Sequence, residues 1–195
     1  MLENNDEIIK ILENDGVICF VTDTVWGLGC LPSSKRAVEK IYEIKKREAQ
    51  KPLILMSNEI YNLFEYVQPI SKIASKLIKK YFAGALTLVL KKTDKAPDYI
   101  TSGMDTVGIR VPDNEVFKSI CKIVPGGVLA TTSANLSSQP SAKTYAQALE
   151  NMNGLVDLII EDYGHLCKGF ESTVAGVFDD ELKIFRQGAI QIEID

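Results

Sequence analysis

At 195 residues with 46% hydrophobic and 25% charged side chains, the chain is long enough to bury a sizeable core, and no Pro/Gly/Ser-rich stretch divides it, so a single domain over 1–195 is expected. A formal net charge of −4 gives no global pull toward nucleic acid or an anionic membrane surface, so any anionic ligand has to be caught by a local cluster. Apolar runs fall far short of the roughly 20 residues that span a bilayer, and the acidic start Met1-Leu2-Glu3-Asn4-Asn5-Asp6-Glu7 is unlike a signal peptide, which leaves the cytoplasm as the expected compartment.

In chain order, Glu7 to Asn14 carries Ile8, Ile9, Ile11 and Leu12 at helical spacing before the stop signal Gly16, and Val17 to Val21 reads as a strand. A glycine-containing loop follows. Ser33 or Ser34 then caps a helix with Ala37, Val38, Ile41 and Ile44 on one face, ending near Arg47. Leu53 to Met56 is a short strand; Glu59 to Tyr66 and Ile70 to Tyr81 are helices separated by Pro69. Leu86 to Lys91, Val107 to Val111 and Val128 to Thr131 are strands, with a helix near Glu115 to Ile123. Thr144 caps a helix through Met152, Leu155 to Ile160 is a strand, and Thr173 to Phe178 with Leu182 to Arg186 forms a hairpin across Asp179-Asp180. Strands in βα units and in adjacent pairs together predict an α/β fold with a twisted mixed sheet, parallel and antiparallel, and flanking helices.

Three stretches could carry chemistry. Ala130-Thr131-Thr132-Ser133-Ala134-Asn135 projects hydroxyls and an amide from the end of a buried strand, where α/β sheets place ligands; by itself it reads first as a Ser/Asn turn. Thr22-Asp23-Thr24-Val25-Trp26-Gly27-Leu28-Gly29 leaves a strand for a glycine loop but matches neither the dinucleotide nor the P-loop fingerprint. Asp23 there could orient a hydroxyl or a hydrated magnesium, or simply bond its own backbone. Lys45-Lys46-Arg47 with Lys51 gathers four cations, either as helix-end charges complementing the macrodipole or as a triphosphate clamp. Cys19, Cys30, Cys121 and Cys167 form no Cys-x-x-Cys pair and His165 is the sole histidine, so no metal site is expected. Cys19 reads as core, and His165 with Cys167 as loop neighbours or, less simply, a nucleophilic pair.

The order of these pieces resembles the YrdC-like family of threonylcarbamoyl-AMP synthases. The matching motifs are Thr22-Asp23-Thr24-Val25-Trp26-Gly27, Lys45-Lys46-Arg47 with Lys51-Pro52-Leu53, Gly84-Ala85-Leu86-Thr87, Val107-Gly108-Ile109-Arg110-Val111-Pro112, Ser133-Ala134-Asn135, Ser172-Thr173-Val174 and Arg186-Gln187-Gly188. The match runs from about residue 10 to about residue 190. It implies a YrdC-like domain with a concave ligand-binding face that joins L-threonine, bicarbonate or CO2, and ATP into threonylcarbamoyl-adenylate and pyrophosphate, for modification of the tRNA adenosine beside the anticodon. It further implies magnesium brought with ATP, downstream threonylcarbamoyl transferase proteins as partners, at most weak tRNA contact, and no membrane. By the same resemblance Thr24, Arg110, Thr131 and Ser172 sit at threonine positions. Arg47, Lys51, Thr106, Ser133, Ser141 and Arg186 match nucleotide positions, and Lys45, Arg47, Ser133 and Asn135 match the essential polar set.

The residue types suit those roles. An Arg fork on a strand suits a carboxylate, and small hydroxyl side chains suit a threonine hydroxyl that valine lacks. Attack of an amine on CO2 and of the resulting carbamate on the α-phosphorus needs positioning and charge compensation rather than a covalent enzyme intermediate. The chain departs from the family pattern at Val21, Glu48, Ala83 and Ala85, where prolines are usual, at Trp26 for tyrosine, at Ser138 for glycine, and at Met56 where some relatives have a histidine. Two other readings stay open on sequence: an RNA-binding module without chemistry, disfavoured by the charge balance, and a carbamoyl-adenylate-forming relative, whose longer chains carry zinc-finger-like cysteines.

Overall fold

A computed structural model describes residues 5–46 and 51–193. Its elements run α1 (Asn5–Glu13), β1 (Ile18–Phe20), β2 (Gly27–Cys30), α2 (Lys35–Ile44), β3 (Ile54–Ser57), α3 (Lys72–Tyr81), β4 (Leu86–Lys91), α4 (Asp98–Thr101), β5 (Thr106–Arg110), α5 (Glu115–Ile123), β6 (Val128–Ser133), α6 (Tyr145–Met152), β7 (Leu158–Ile159), β8 (Thr173–Phe178) and β9 (Glu181–Arg186). All nine strands form one sheet in the order β7-β1-β2-β6-β3-β5-β4-β8-β9. Three pairings are parallel, β7 with β1, β3 with β5, and β4 with β8, and the other five antiparallel, so the expected mixed α/β sheet is the observed one. No helix among the described residues is long and apolar enough to cross a membrane.

Four of the helices start where a side chain caps them. Ser34 accepts the Ala37 N–H, Ser71 that of Ala74, Asn114 that of Phe117 and Thr144 that of Gln147, each satisfying an orphan donor of the first turn. Helix α2 then buries Ala37, Val38, Ile41 and Ile44, and α5 buries Val116, Phe117, Ile120 and Cys121, so both lie with an apolar face on the core. Helix α2 ends at Ile44, short of the expected Arg47, because Lys46 takes a left-handed φ of 48°. The helix expected over Glu59 to Tyr66 is a 3-10 helix, Ile60–Tyr66. Strand β7 keeps only two of the six residues read as strand, and α4 was not legible in the sequence at all.

The largest correction concerns Gly27-Leu28-Gly29, read as a loop. It is strand β2, paired antiparallel with both β1 and β6, Gly27 opposite Phe20 and Ser133, and Gly29 opposite Ile18 and Thr131. Side-chain alternation cannot reveal such a strand, because its glycines make room for the Phe20 ring. A Cβ on Gly29 would stand 2.8 Å from that ring.

Far from the sheet centre, Asp157 accepts the Val17 N–H at 2.7 Å and an ion pair from Lys40, tying the start of β1 to α2. Burial favours its neutral form, but the Lys40 and Val17 bonds outweigh it and hold the carboxyl below its ordinary value. A depressed folded value means stability that is present above the unfolded pKa, about 4, and lost as pH falls through the folded one. The Asp157→Asn protein is therefore expected to melt below wild type at pH 7. The gap should shrink below about pH 4 when melting is followed by circular dichroism.

Candidate active site

Strand register brings the site together. Pairs Met56 with Arg110, Thr87 with Val174, and Val174 with Arg186 set these side chains on one face of neighbouring strands. On the next row Thr131 pairs with Ile54 and Ile54 with Gly108. Gly108 keeps the floor low, since a Cβ there would lie 2.8 Å from the Ile54 side chain. A cavity of about 200 Å³ opens on this face, walled by Thr22, Thr24 and Trp26 on one side and by Glu171 and Ser172 on another.

Arg110 is its buried cation, 2% exposed. Nε donates to Gly84 O at 2.9 Å, Nη1 to Thr24 Oγ1 at 2.8 Å and Nη2 to Asp23 Oδ1 at 2.6 Å. Burial pushes the guanidinium down from its ordinary pKa, and Asp23 works against that shift. Three of its five N–H groups are thereby engaged, leaving two for a ligand in the cavity. Asp23 thus holds Arg110 rather than its own backbone.

The hydroxyls around Arg110 are bonded to the protein as well. Thr131 donates to Ile54 O at 3.2 Å, and Ser172 shares a 2.8 Å bond with Thr87. Arg186 reaches the carbonyl and the hydroxyl of Ser172 and pairs with the Glu171 carboxylate, which also accepts from Ser141 at 3.0 Å. Glu171 therefore links two side chains expected at nucleotide positions.

Two backbone braces fix the walls. Trp26, Ala134 and Ala142 exchange three main-chain bonds, Trp26 N to Ala142 O at 3.0 Å, Ala134 N to Trp26 O at 2.8 Å and Ala142 N to Ala134 O at 3.1 Å. Lys168 N and Gly169 N donate to the carbonyls of Asp23 and Thr24 at 3.0 and 2.7 Å. The Trp26 side chain is fully buried and stacks near Tyr145, so its substitution for tyrosine leaves no void.

Of the expected site residues, Thr24, Arg110, Thr131, Ser172, Ser133 and Arg186 line this one cavity. Lys45, Lys51, Thr106, Asn135 and Ser141 are not among its lining residues, and Arg47 lies outside the described residues, as does Glu48. Thr106 is on the same face of β5 as Arg110 but four residues away, about 13 Å at strand rise. Asn135 does not face the cavity as expected. Its Oδ1 accepts from Lys45 and Ser133, and its Nδ2 donates to Leu136 O and Gln139 O, so the amide is spent on closing its own loop.

Lys45 is the second correction. Its ammonium, 3% exposed, donates to Ser133 O at 2.5 Å and to Asn135 O and Oδ1 at 2.8 Å each, while its own carbonyl accepts from Ser137 N. It is neither a solvated helix-end charge nor an open clamp; it fastens the Ser133–Asn135 segment to the end of α2. Ser138, the departure from glycine, has a φ of +68°, a left-handed conformation that costs a side-chain-bearing residue about 1–2 kcal/mol. A glycine would sit there unstrained.

Residues that the sequence reading left without a role are Thr22, Thr87 and Glu171, each adjacent to or inside a quoted motif. Cys167 donates its thiol to Lys143 O, and burial raises its pKa, the opposite of an activated nucleophile. Burial likewise pushes the Cys19 thiol up to about 12, as for a core residue. The cavity can hold a carboxylate against Arg110 and hydrogen-bonding groups against its hydroxyls, with two guanidiniums each partly neutralised by a carboxylate.

Known proteins resemble this chain in sequence and fold. The Sua5/YciO/YrdC family model, described as telomere recombination, matches residues 10–188. Threonylcarbamoyl-AMP synthase of Bacillus subtilis is 36% identical over 98% of this chain and 56% of its own length. A Methanocaldococcus jannaschii relative is 33% identical over 97% of this chain and 91% of its own. The structure of P. abyssi Sua5 complexed with L-threonine superposes with a TM-score of 0.88 at 31% identity, over 96% of this chain and 55% of that one. The chain thus spans little more than half the length of the Bacillus and Pyrococcus proteins. With the family model matching residues 10–188, and with six of the expected site residues lining one cavity, the chain belongs to the Sua5/YciO/YrdC family.

Proposed function

We propose that this chain is a threonylcarbamoyl-AMP synthase, acting as a single catalytic domain. L-threonine binds with its carboxylate on Arg110 and its remaining polar groups among Thr24, Thr131 and Ser172. Its neutral amine attacks CO2 to give a carbamate, releasing one proton. A carbamate oxygen then attacks the α-phosphorus of ATP, and pyrophosphate leaves as the acyl-phosphate bond forms. The observation that carries this reading is the Arg110 guanidinium with two donors left in a hydroxyl-lined cavity. It is supported by a 31% identical relative solved with L-threonine.

The nucleotide is assigned to Ser133 and Arg186, which line the cavity, and to Ser141, bonded to the lining residue Glu171, with Arg47, Lys51 and Thr106 assigned by the family motif alone. Lys45 acts through the loop it fastens. The residues present do not build a magnesium cage. Glu171 is the one carboxylate among the described lining residues and is taken by Arg186 and Ser141, and no group of three metal-ligating side chains occurs among the described residues. Magnesium is accordingly assigned to the ATP complex. The adenylate would pass in the cytoplasm to transferase proteins that modify tRNA, with at most weak tRNA contact by this chain.

In an assay of pyrophosphate release, ATP with both L-threonine and bicarbonate is expected to give turnover, and omission of either to remove it. Valine should be at least about a hundredfold poorer, because it leaves the hydroxyl partners unpaired. Equal turnover without threonine would overturn the assignment.

A further inference from the structure

The pocket's hydrogen bonds have a direction that two residues outside the expected site set. Thr22 donates its hydroxyl proton to Val25 O at 2.6 Å, so the 3.0 Å contact between the Thr22 and Thr24 hydroxyls is donated by Thr24. Thr24 also accepts from Arg110 Nη1 at 2.8 Å. Its proton spent, Thr24 offers a ligand only a lone pair, and the ligand group that meets it must itself be a donor.

Arg110 shows the opposite polarity. Nε is held by Gly84 O, Nη1 by Thr24 and Nη2 by the Asp23 carboxylate, with the two charged side chains only 3% and 7% exposed. One N–H remains on each terminal nitrogen, the pair that an end-on carboxylate takes. Without Asp23, nothing else in this set fixes the Nη2 end of the fork. A carboxylate acceptor beside an amine or hydroxyl donor is a pattern that an amino acid, L-threonine included, supplies.

We infer that Asp23 and Thr22 are positioning residues that set the polarity of the amino-acid pocket, Asp23 by aiming the remaining donors of Arg110 and Thr22 by turning Thr24 into an acceptor. This rests on the reading that the cavity binds L-threonine. Neither residue has to touch the substrate, and Glu171, Ser141 and Arg186 on the nucleotide side make no hydrogen bond to either one.

The test measures L-threonine binding by calorimetry and pyrophosphate kinetics for Asp23→Asn, Thr22→Val and Thr22→Ser. Asp23→Asn is expected to weaken threonine, in Kd and in KM, by about tenfold or more while the KM for ATP stays within about twofold. Thr22→Val should weaken threonine by about fivefold, and Thr22→Ser, which keeps the donor, should restore it to within about twofold. Threonine affinity at the wild-type level in both Asp23→Asn and Thr22→Val, or equal losses for threonine and ATP, would overturn the inference. A purely structural Asp23 would lower the melting temperature without that split, and if Asp23→Asn does not fold, the Thr22 pair decides. Wild-type protein that neither binds threonine nor releases pyrophosphate removes the functional reading and this inference with it; wild-type turnover with unaltered variants removes the inference alone.

Discussion

Arg110→Lys is expected to fold and to lose about a hundredfold or more in kcat/KM for L-threonine, with the KM for ATP little changed. The guanidinium reaches Gly84 O, Thr24 and Asp23 from three separate nitrogens. A lysine ammonium has three donors on one atom and cannot meet those partners and still present a fork to a carboxylate. Its charge does keep Asp23 from being stranded. Arg110→Ala removes that charge as well, leaving a carboxylate buried without its partner, and should cost about 3–5 kcal/mol in urea unfolding. Threonine kinetics within about threefold of wild type in Arg110→Lys would show that the fork is not what holds the substrate.

The second large effect is expected at Lys45. In Lys45→Met the carbonyls of Ser133 and Asn135 and the Asn135 Oδ1 lose a charged donor in a buried setting. Ser133 O keeps the Asn135 N–H and Asn135 Oδ1 keeps the Ser133 hydroxyl, so of the three only the Asn135 carbonyl is deserted, and a loss of about 2 kcal/mol is expected in urea unfolding. Turnover should fall by about a hundredfold, because Ser133 lines the cavity and its segment is no longer pinned to α2. From the sequence, Lys45→Ala is expected to remove turnover and spare the fold; the geometry revises this to a joint loss. Full stability with lost turnover would mean that Lys45 serves the phosphates directly.

Much of the fold was legible because it rests on side-chain period and capping. Ser34 and Thr144 each stand before an apolar-periodic run and cap a helix as expected, whereas Ser71 and Asn114 cap helices that were legible from their period alone. Strand β4 and the β8–β9 hairpin were legible for the same reason, as uninterrupted apolar or alternating runs. Strand β2 was not, since Gly27 and Gly29 carry no pattern and their role is set by Phe20, which only the folded register places over them.

The site divides along a similar line. Residue type and motif order identified Thr24, Arg110, Thr131, Ser133, Ser172 and Arg186, and the sheet register gathers them. What sequence could not give is the direction of each hydrogen bond. Whether Asn135 faces a ligand or its own loop, and whether Lys45 meets phosphate or carbonyl, depends on which acceptors the folded loop leaves nearby. Glu171 and Thr22 went unassigned for the same reason: their roles are relations to Arg186, Ser141 and Val25, not properties of the residues themselves.

Mass analysis of the product formed from ATP, L-threonine and isotopically labelled bicarbonate tests the account most directly. The prediction is a threonine-bearing adenylate that contains the labelled carbon and forms in equal amount with pyrophosphate. Release of pyrophosphate or of ADP without a labelled, threonine-containing adenylate would contradict it.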